Sequence, residues 1–180
     1  MYIKMIFYAL LLSVIIIIAN YTVQFSILNS PLTWGAITYP FSFLLLDIIS
    51  EKYDKKYTIK VLFIGLLIAF YPSYLCASFN IAIASIIAFC ISQPLDVLIF
   101  YFLKYKAPKI WILRNVSSTF LAQLVDTLVF FTIAFWGVNA IFDSIIMALT
   151  DYSIKIIISF INIPLFYIFA IYKFKRFFKN

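Results

Sequence analysis

The chain has 180 residues, of which 66% are hydrophobic and 12% are charged, and its mean hydropathy is +1.08. Soluble domains are roughly half apolar and a quarter charged, so this composition excludes a soluble globule and indicates a membrane-embedded protein. The formal net charge is +7, and histidine, the commonest general base and metal ligand, is absent. A chain of this length has room for about six spanning helices and no separate soluble domain.

Apolar runs long enough to cross a bilayer follow one another along the whole sequence. A helix needs about 20 residues to cross the hydrocarbon core. The runs predict one domain, residues 1–180, an all-α bundle of six transmembrane helices with spans near residues 5–25, 32–50, 59–78, 81–103, 115–137 and 151–172. We interpret the first run as a retained helix, because it is too long for a typical signal peptide and no A-x-A cleavage site follows it.

The basic residues test this segmentation, because cytoplasmic loops carry an excess of Lys and Arg. The N-terminus, the second loop, the fourth loop and the C-terminus hold all basic residues but one: Lys4, Lys52, Lys55, Lys56, Lys60, Lys104, Lys106, Lys109, Arg114, Lys173, Lys175, Arg176 and Lys179. Both termini are therefore expected in the cytoplasm. The excess charge is explained by topology and lipid headgroups, and we expect no nucleic-acid partner. The remaining basic residue, Lys155, falls inside the sixth span.

Polar side chains form stripes on five of the six predicted helices. At 100° per residue, the members that share a face are Ser13, Asn20 and Gln24; Asp47 and Glu51; Ser85, Ser92 and Asp96, with Gln93 nearby; Asn115, Thr119, Gln123 and Asp126; and Asp151, Lys155, Ser159 and Asn162. The third span has no lysine, arginine or carboxylate beyond Lys60 at its start, so we expect it at the periphery. Because polar groups are costly in lipid, the stripes should face one another or a wet cavity.

Each stripe also has a structural interpretation. Isolated hydroxyls serve helix packing, and amides bond neighbouring helices. Asp96 and Asp126 could form ion pairs with Lys155 or Arg114, whereas Asp151 and Lys155 have the i, i+4 spacing of a structural pair. Glu51 is expected at a solvated helix end, and Asp47 fits either interpretation. Cys76 and Cys90 lie in apolar runs without metal-ligand spacing, so we predict packing roles for them.

Taken together, the stripes favour an interior pocket with carboxylates, amides and aromatic walls. The rings that could form such walls are Trp34, Tyr39, Phe43, Phe100, Phe130 and Phe131. A flat heterocycle with several donors and acceptors suits such a pocket, because rings stack on aromatic faces. A carboxylate can accept two hydrogen bonds from a guanine-like N–H and NH2 edge.

Three groups of segments resemble the queuosine precursor transporter family, also called the vitamin uptake transporter family. They are "ANYTVQF" with "TWGAITYPFSFLLLDIISEKY"; "SQPLDVLIFYFLK" with "WILRNVSSTFLAQLVDTLVFFTIAFWG"; and "TDYSIKIIISFINIPLFY". They occur in the family's order and cover nearly the whole chain. The block from residue 111 to 136 is the most specific. One departure is Asp54, where the family often has Gly, which concerns the shape of a cytoplasmic loop.

The resemblance implies a six-helix importer in the bacterial inner membrane, for 7-cyano-7-deazaguanine or 7-aminomethyl-7-deazaguanine, with queuine or queuosine as further candidates. Such a protein has a small-molecule substrate and a lipid bilayer as partners, no cofactor, no metal and no catalytic residue; a homodimer is left open. The substrate-binding positions carried over from the family are Asn20, Gln24, Trp34, Asp47, Gln93, Asp96, Arg114, Ser118, Gln123, Asp126, Asp151 and Lys155.

Within this set we expect Asp126 or Asp96 to bind the N–H/NH2 edge, and Lys155 to balance charge or donate to the carbonyl. Gln93, Gln123 and Asn20 would bind the remaining polar atoms. Facilitated diffusion and proton coupling through a buried carboxylate both stay open as energy sources.

Three rival functions are weighed against the transporter. The alternative is a substrate-binding subunit of an energy-coupling-factor vitamin importer, which docks through small residues such as Ala9 and Ser13 on its first helix. An intramembrane enzyme is disfavoured, because no G-x-G-D motif and no nucleophile–base signature occurs. A non-transporting scaffold would bind no heterocycle.

Overall fold

The computed structural model describes residues 2–27, 33–76, 79–137 and 140–172. Within these ranges the chain is almost entirely helical. The helices are α1 (Tyr2–Thr22), α2 (Gly35–Thr38), α3 (Pro40–Lys52), α4 (Lys55–Cys76), α5 (Phe79–Lys106), α6 (Trp111–Ala134) and α7 (Ile141–Phe166), which continues as a π-helix over Tyr167–Tyr172. The prediction of an all-α membrane protein is confirmed.

Five of these elements are long and apolar enough to cross a membrane: α1, α4, α5, α6 and α7 with its π-helical extension. The second predicted span differs, because it consists of α2 followed by α3. Tyr39 joins them with helical dihedral angles, and its backbone N–H donates to the Gly35 carbonyl over 2.9 Å. Pro40 has no N–H to donate and interrupts the hydrogen bonding there. Residues 35–52 together rise about 27 Å, less than a typical spanning helix.

The short helix α3 occupies the middle of the bundle. It packs against α1, α4, α5, α6 and α7, and most of its residues are buried on all sides. A helix enclosed in this way can carry polar groups only where other helices supply hydrogen-bond partners. Ser42, Asp47 and Ser50 are all fully buried on α3. This helix therefore brings polar side chains into the centre of the protein.

The outer helices pack through small residues. On α1, Ala9 and Leu12 are fully buried against α4, where a Cβ added to Gly65 would lie 3.0 Å from Leu12 Cδ2 and 3.1 Å from the Ala9 carbonyl oxygen. Gly65 thus permits the close approach of the two helices. The predicted peripheral position of the third span agrees with α4, which packs mainly on α1 and α5.

Candidate functional site

A cavity lies where the C-terminal end of α1, the α2–α3 junction, the N-terminal half of α5, the C-terminal half of α6 and the N-terminal half of α7 meet. Its empty volume, mouth included, is about 640 Å³. Its polar lining comprises Asn20, Thr33, Tyr39, Ser85, Asp126, Asp151 and Lys155. These parts of the helices lie at the end of the bundle opposite the basic loops.

Asp126 lies on the wall of this cavity with its side chain almost fully buried. Its Oδ1 atom accepts hydrogen bonds from the Tyr39 hydroxyl and the Ser92 hydroxyl, each over 2.7 Å. Its Oδ2 atom has a longer contact, 3.5 Å, with Lys155 Nζ. The α2–α3 junction, α5 and α7 therefore each contribute a partner to one carboxylate of α6. Its Oδ2 atom has fewer close partners than Oδ1.

Lys155 binds two carboxylates at once. Its ammonium lies 2.9 Å from Asp151 Oδ2 and 3.5 Å from Asp126 Oδ2, and it donates to the Thr127 hydroxyl over 3.0 Å. The ammonium also lies 4.5 Å from the centroid of the Tyr39 ring, within cation–π range. The predicted pairs of Lys155 with Asp151 and with Asp126 are confirmed. With both carboxylates ionised, this group, which we call the outer cluster, carries one net negative charge.

Aromatic rings form the apolar part of the wall. Tyr39, Phe130, Phe131 and Phe135 line the cavity. The Phe131 and Phe135 rings are stacked at 17°, with centroids 5.9 Å apart. Of the rings predicted as stacking surfaces, Tyr39, Phe130 and Phe131 thus lie in the cavity wall. The others lie elsewhere: Phe43 and Phe100 are fully buried in the core, and Trp34 is half-exposed.

A second set of polar residues lies deeper and does not line the cavity. Asp47 on α3 accepts hydrogen bonds at Oδ2 from Asn115 Nδ2 over 2.6 Å and from the Thr119 hydroxyl over 2.9 Å. The Ser118 hydroxyl is 3.5 Å from Oδ1. Asp96 on α5 lies beside Asp47 and interacts with it electrostatically. We call Asp47, Asp96, Asn115, Ser118 and Thr119 the inner cluster.

Three side-chain oxygens in and next to this cluster lack hydrogen-bond partners among the described residues. Both carboxylate oxygens of Asp96 and the Gln93 Oε1 atom are fully buried, and the described residues supply none of them with a donor at normal distance. The orientation of Gln93 is set by Ser42, whose hydroxyl donates to the Tyr39 carbonyl over 2.8 Å and accepts from Gln93 Nε2 over 3.0 Å. Unsatisfied buried polar atoms are costly, so such a group requires an explanation.

The end of the bundle that carries the basic residues is held by an ion pair. Arg114 binds Glu51 with two hydrogen bonds, Nε to Oε2 over 2.9 Å and Nη2 to Oε1 over 2.8 Å, and donates to the Pro108 carbonyl over 3.0 Å. Lys104 donates to the Ser50 and Glu51 carbonyls over 2.7 and 2.8 Å. The expectation that Glu51 is a solvated helix end is wrong: α5 and α6 enclose it, and it binds Arg114 bidentately.

The twelve predicted site residues are divided by the structure into several groups. Asn20, Asp126, Asp151 and Lys155 line the cavity, and Asp47, Asp96 and Ser118 belong to the inner cluster. Gln93 and Gln123 are fully buried, and Gln123 Oε1 accepts from the Ser159 hydroxyl over 3.0 Å. Arg114 holds the basic end. Trp34 and Gln24 do not line the cavity: α1 ends at Thr22, short of the predicted span end, and the exposed Gln24 side chain donates to the Cys76 carbonyl.

Some contributors were not in the predicted set. The Tyr39 hydroxyl, Ser92, Thr127 and Phe135 all reach the outer cluster or the cavity. Ser92 was on a predicted stripe, and its position one turn before Asp96 was the available signal. Thr127 follows Gln123 by four residues and so continues the predicted stripe, and that spacing was the available signal. Among the described residues, no group of three or more Cys, Asp or Glu side chains converges as a metal site.

The sequence has recognisable relatives. The family model described as "Putative vitamin uptake transporter" matches residues 33–78 and 70–169. A "Queuosine precursor transporter" of Escherichia coli (strain K12) is 32% identical, over 79% of this chain and 75% of the relative. A "Probable queuosine precursor transporter" of Bacillus subtilis (strain 168) is 27% identical, over 75% of this chain and 70% of the relative.

A further relative, the "Probable queuosine precursor transporter" of Haemophilus influenzae (strain ATCC 51907 / DSM 11121 / KW20 / Rd), is 31% identical over 58% of this chain and 52% of its own length. No solved structure matches the chain significantly. The family match extends over most of the chain, and the relatives are transporters by name rather than enzymes. The chain is therefore a multi-pass membrane protein that belongs to the queuosine precursor transporter family, the family of vitamin uptake transporters.

Proposed function

We propose that this protein imports a 7-deazaguanine precursor of queuosine through the outer cavity. The observation that carries the proposal is the outer cluster. There an almost fully buried carboxylate, Asp126, lies beside a lysine and four aromatic rings in a cavity of about 640 Å³. One relative, the Escherichia coli protein, is named a queuosine precursor transporter. The chemistry of the cavity suits a planar base that carries hydrogen-bond donors on one edge.

The two ends of such a base would have different partners. The N–H/NH2 edge would donate to Asp126 Oδ2, because Oδ1 already accepts two hydrogen bonds. Lys155 and Asn20 could then reach the carbonyl and other polar atoms, and the ring would stack on Tyr39 or on the Phe131–Phe135 pair. With both carboxylates ionised, the outer cluster would carry one net negative charge and would also favour a substrate with an amine, such as 7-aminomethyl-7-deazaguanine.

The side of the membrane to which the cavity opens is inferred from charge. The cavity is formed at the ends of helices that lack basic loops, and the positive-inside rule assigns that side to the exterior. In this arrangement both termini lie in the cytoplasm of a bacterium and the protein spans its inner membrane. The Arg114–Glu51 ion pair lies at the opposite end, and we propose that it closes that end. Import then requires that this pair opens after substrate has bound and the outer cavity has closed.

The alternative, a substrate-binding subunit of an energy-coupling-factor importer, has less support. The small residues that would serve docking on the first helix, Ala9 and Ser13, are buried inside this chain. Ala9 packs on Gly65 of α4. A partner could therefore not use these two residues without separating α1 from α4.

The test is a ligand screen on the purified protein. Thermal shifts would be measured with 7-cyano-7-deazaguanine, 7-aminomethyl-7-deazaguanine, queuine, queuosine and guanine, for the wild type, Asp126→Asn and Asp143→Asn. Asp143 is exposed at the start of α7, so it is a matched control. We expect at least one deazaguanine to stabilise the wild type and the control, but not Asp126→Asn.

Two results would contradict the proposal. Failure of every deazaguanine to stabilise the wild type would exclude deazaguanines as the substrate class. Uptake into proteoliposomes by Asp126→Asn at the wild-type rate would remove Asp126 from the binding site. Uptake by the purified wild-type chain alone would exclude the energy-coupling-factor alternative.

A further inference from the structure

The two carboxyl groups of the inner cluster have no cationic partner among the described residues. Asp47 and Asp96 are both fully buried, and the described residues provide no salt-bridge partner for either carboxylate. The basic side chains of the neighbouring helices are bound elsewhere: Lys104 and Arg114 at Glu51, and Lys155 in the outer cluster. The basic side chains of α4, namely Lys55, Lys56 and Lys60, are exposed.

Two adjacent carboxylates cannot both be ionised in such a place without a large cost. The hydrogen bonds of the inner cluster also lack a donor for some of its buried oxygens among the described residues. Asn115 and Thr119 satisfy Asp47 Oδ2, whereas both Asp96 oxygens and Gln93 Oε1 have no donor at normal distance among the described residues. One proton on the pair would remove one negative charge and supply an O–H donor between the two carboxyl groups. A proton is therefore a ligand that suits this site.

The site is also mechanically connected to the cavity. Ser92 and Asp96 are one turn apart on α5, about 6 Å along the axis, and Ser92 donates to Asp126. Tyr39, directly before α3, donates to the same carboxylate, and Asp47 follows two turns later on α3. Helix α6 carries Asp126 in the outer cluster and Asn115, Ser118 and Thr119 in the inner cluster. The same three helices therefore hold both sites.

We propose that the Asp47–Asp96 pair binds the proton that is co-transported with the substrate; this rests on the function proposed above. The proton enters from the exterior water and binds the pair while the outer cavity is accessible. Substrate bound at Asp126 pulls on Tyr39 and Ser92, and hence on α3 and α5, so that the cavity closes only when the pair is protonated. The proton leaves to cytoplasmic water after the Arg114–Glu51 pair opens.

The test uses purified protein in proteoliposomes with radiolabelled 7-cyano-7-deazaguanine. The membrane potential is clamped at zero with potassium and valinomycin, and the exterior is made one pH unit more acidic than the interior. With one proton per substrate, this gradient should give the wild type about tenfold accumulation. A pH dye inside the vesicles should report acidification that depends on substrate. Asp96→Asn should lose accumulation but still exchange labelled for unlabelled substrate, and Asp143→Asn should retain both.

The outcomes are distinguishable. Wild-type uptake that reaches only equal concentrations on both sides, without acidification, would overturn the coupling proposal and leave the proposed function intact. Accumulation driven by a sodium gradient instead would overturn the assignment of the proton. Absence of both uptake and binding of every deazaguanine would overturn the function and this inference together. The wild-type measurements decide the matter even where Asp96→Asn fails to fold, which its thermal unfolding would reveal.

Discussion

The outer and inner clusters are both made of buried carboxylates, but they differ in how charge is balanced. In the outer cluster Lys155 lies between Asp126 and Asp151, at 3.5 and 2.9 Å. In the inner cluster the donors to Asp47 are neutral, an amide and two hydroxyls, and the described part of the chain supplies Asp96 with no donor at normal distance. The outer cluster borders a cavity of about 640 Å³, whereas neither inner carboxylate lines it.

The difference indicates two kinds of ligand. A carboxylate that contacts a lysine, a tyrosine and a serine beside a cavity is oriented for a molecule of some size. A carboxylate pair that does not line this cavity, and that has no ion-pair partner among the described residues, suits a ligand as small as a proton. A membrane interior makes both arrangements costly, so each is expected to contribute to function rather than to stability alone. Four substitutions test this comparison, two in the outer cluster, one at the basic end and one in the inner cluster, and we take them in decreasing order of expected effect.

Lys155→Met should be the most destabilising change, because it leaves Asp126 and Asp151 buried without their cation. Breaking a buried pair in this way costs about 3–5 kcal/mol. The double variant Lys155→Met/Asp151→Asn should regain part of the loss, since it removes one of the two uncompensated charges. The free energy of unfolding in detergent would measure both. A double variant no more stable than the single one would contradict the charge balance described for the outer cluster.

Tyr39→Phe should have a smaller effect than Lys155→Met, because it removes one donor from Asp126 and keeps the ring and the Ser92 hydrogen bond. A hydrogen bond to a charged group contributes about 1.5–3 kcal/mol, so we expect substrate affinity to fall by about 10-fold to 150-fold. Titration calorimetry with the preferred deazaguanine would give the value. Phe43→Leu, in the apolar core outside the cavity, is the control, and an unchanged affinity for Tyr39→Phe would show that the hydroxyl does not orient Asp126.

Arg114→Gln should open the basic end while leaving the outer cavity in place. It removes the bidentate bond to Glu51, and a cysteine at position 118, fully buried in the intact protein, should then react several-fold faster with a thiol reagent applied from the cytoplasmic side. The background would be Ser118→Cys with Cys76 and Cys90 changed to Ser. A cysteine at the cavity residue 85 is the control and should react equally with and without Arg114→Gln. Unchanged labelling at position 118 would mean that the ion pair does not close this end.

Asp96→Asn should have the smallest effect on stability, and it is the sharpest contrast with Lys155→Met. Replacing a member of an uncompensated carboxylate pair by its neutral isostere removes repulsion and leaves the hydrogen bonds of Asp47 intact. We expect the free energy of unfolding at neutral pH to change by less than about 1 kcal/mol. A loss as large as that of Lys155→Met would show that Asp96 is a charged partner in a network that stabilises the fold.

The sequence was most informative where periodicity alone decides the outcome. The stripe Asn115–Thr119–Gln123–Asp126 is buried on one face of α6, and Asp151, Lys155, Ser159 and Asn162 are buried on one face of α7, both as predicted. A helix places i, i+4 and i+7 residues on one side regardless of its neighbours, and a bilayer forces polar faces inward. The i, i+4 pair of Asp151 and Lys155 was predictable for the same reason.

Pairings between helices were harder to predict from the sequence. Glu51 was expected in solvent but binds Arg114, which is 63 residues away in sequence. The second span was expected as one helix, but Pro40 divides it into α2 and α3. The division of the twelve predicted residues between a cavity and a deeper cluster depends on the axial level at which α3, α5, α6 and α7 pack. A stripe gives the direction of a side chain, and it does not give the partner at the same depth.

The sequence by itself determined the membrane class, the helical faces and the family, because hydropathy, helical period and ordered motifs are local properties of the chain. Only the tertiary structure decided which carboxylate has a cation. Asp126 and Asp96 are equivalent in sequence terms, each an aspartate on the polar stripe of an apolar helix. Lys155 reaches the level of Asp126 and not that of Asp96, since the offset between neighbouring helices is set by packing around the short, central α3. That offset gives one aspartate a lysine and a cavity, and places the other beside a second carboxylate with no ion-pair partner among the described residues.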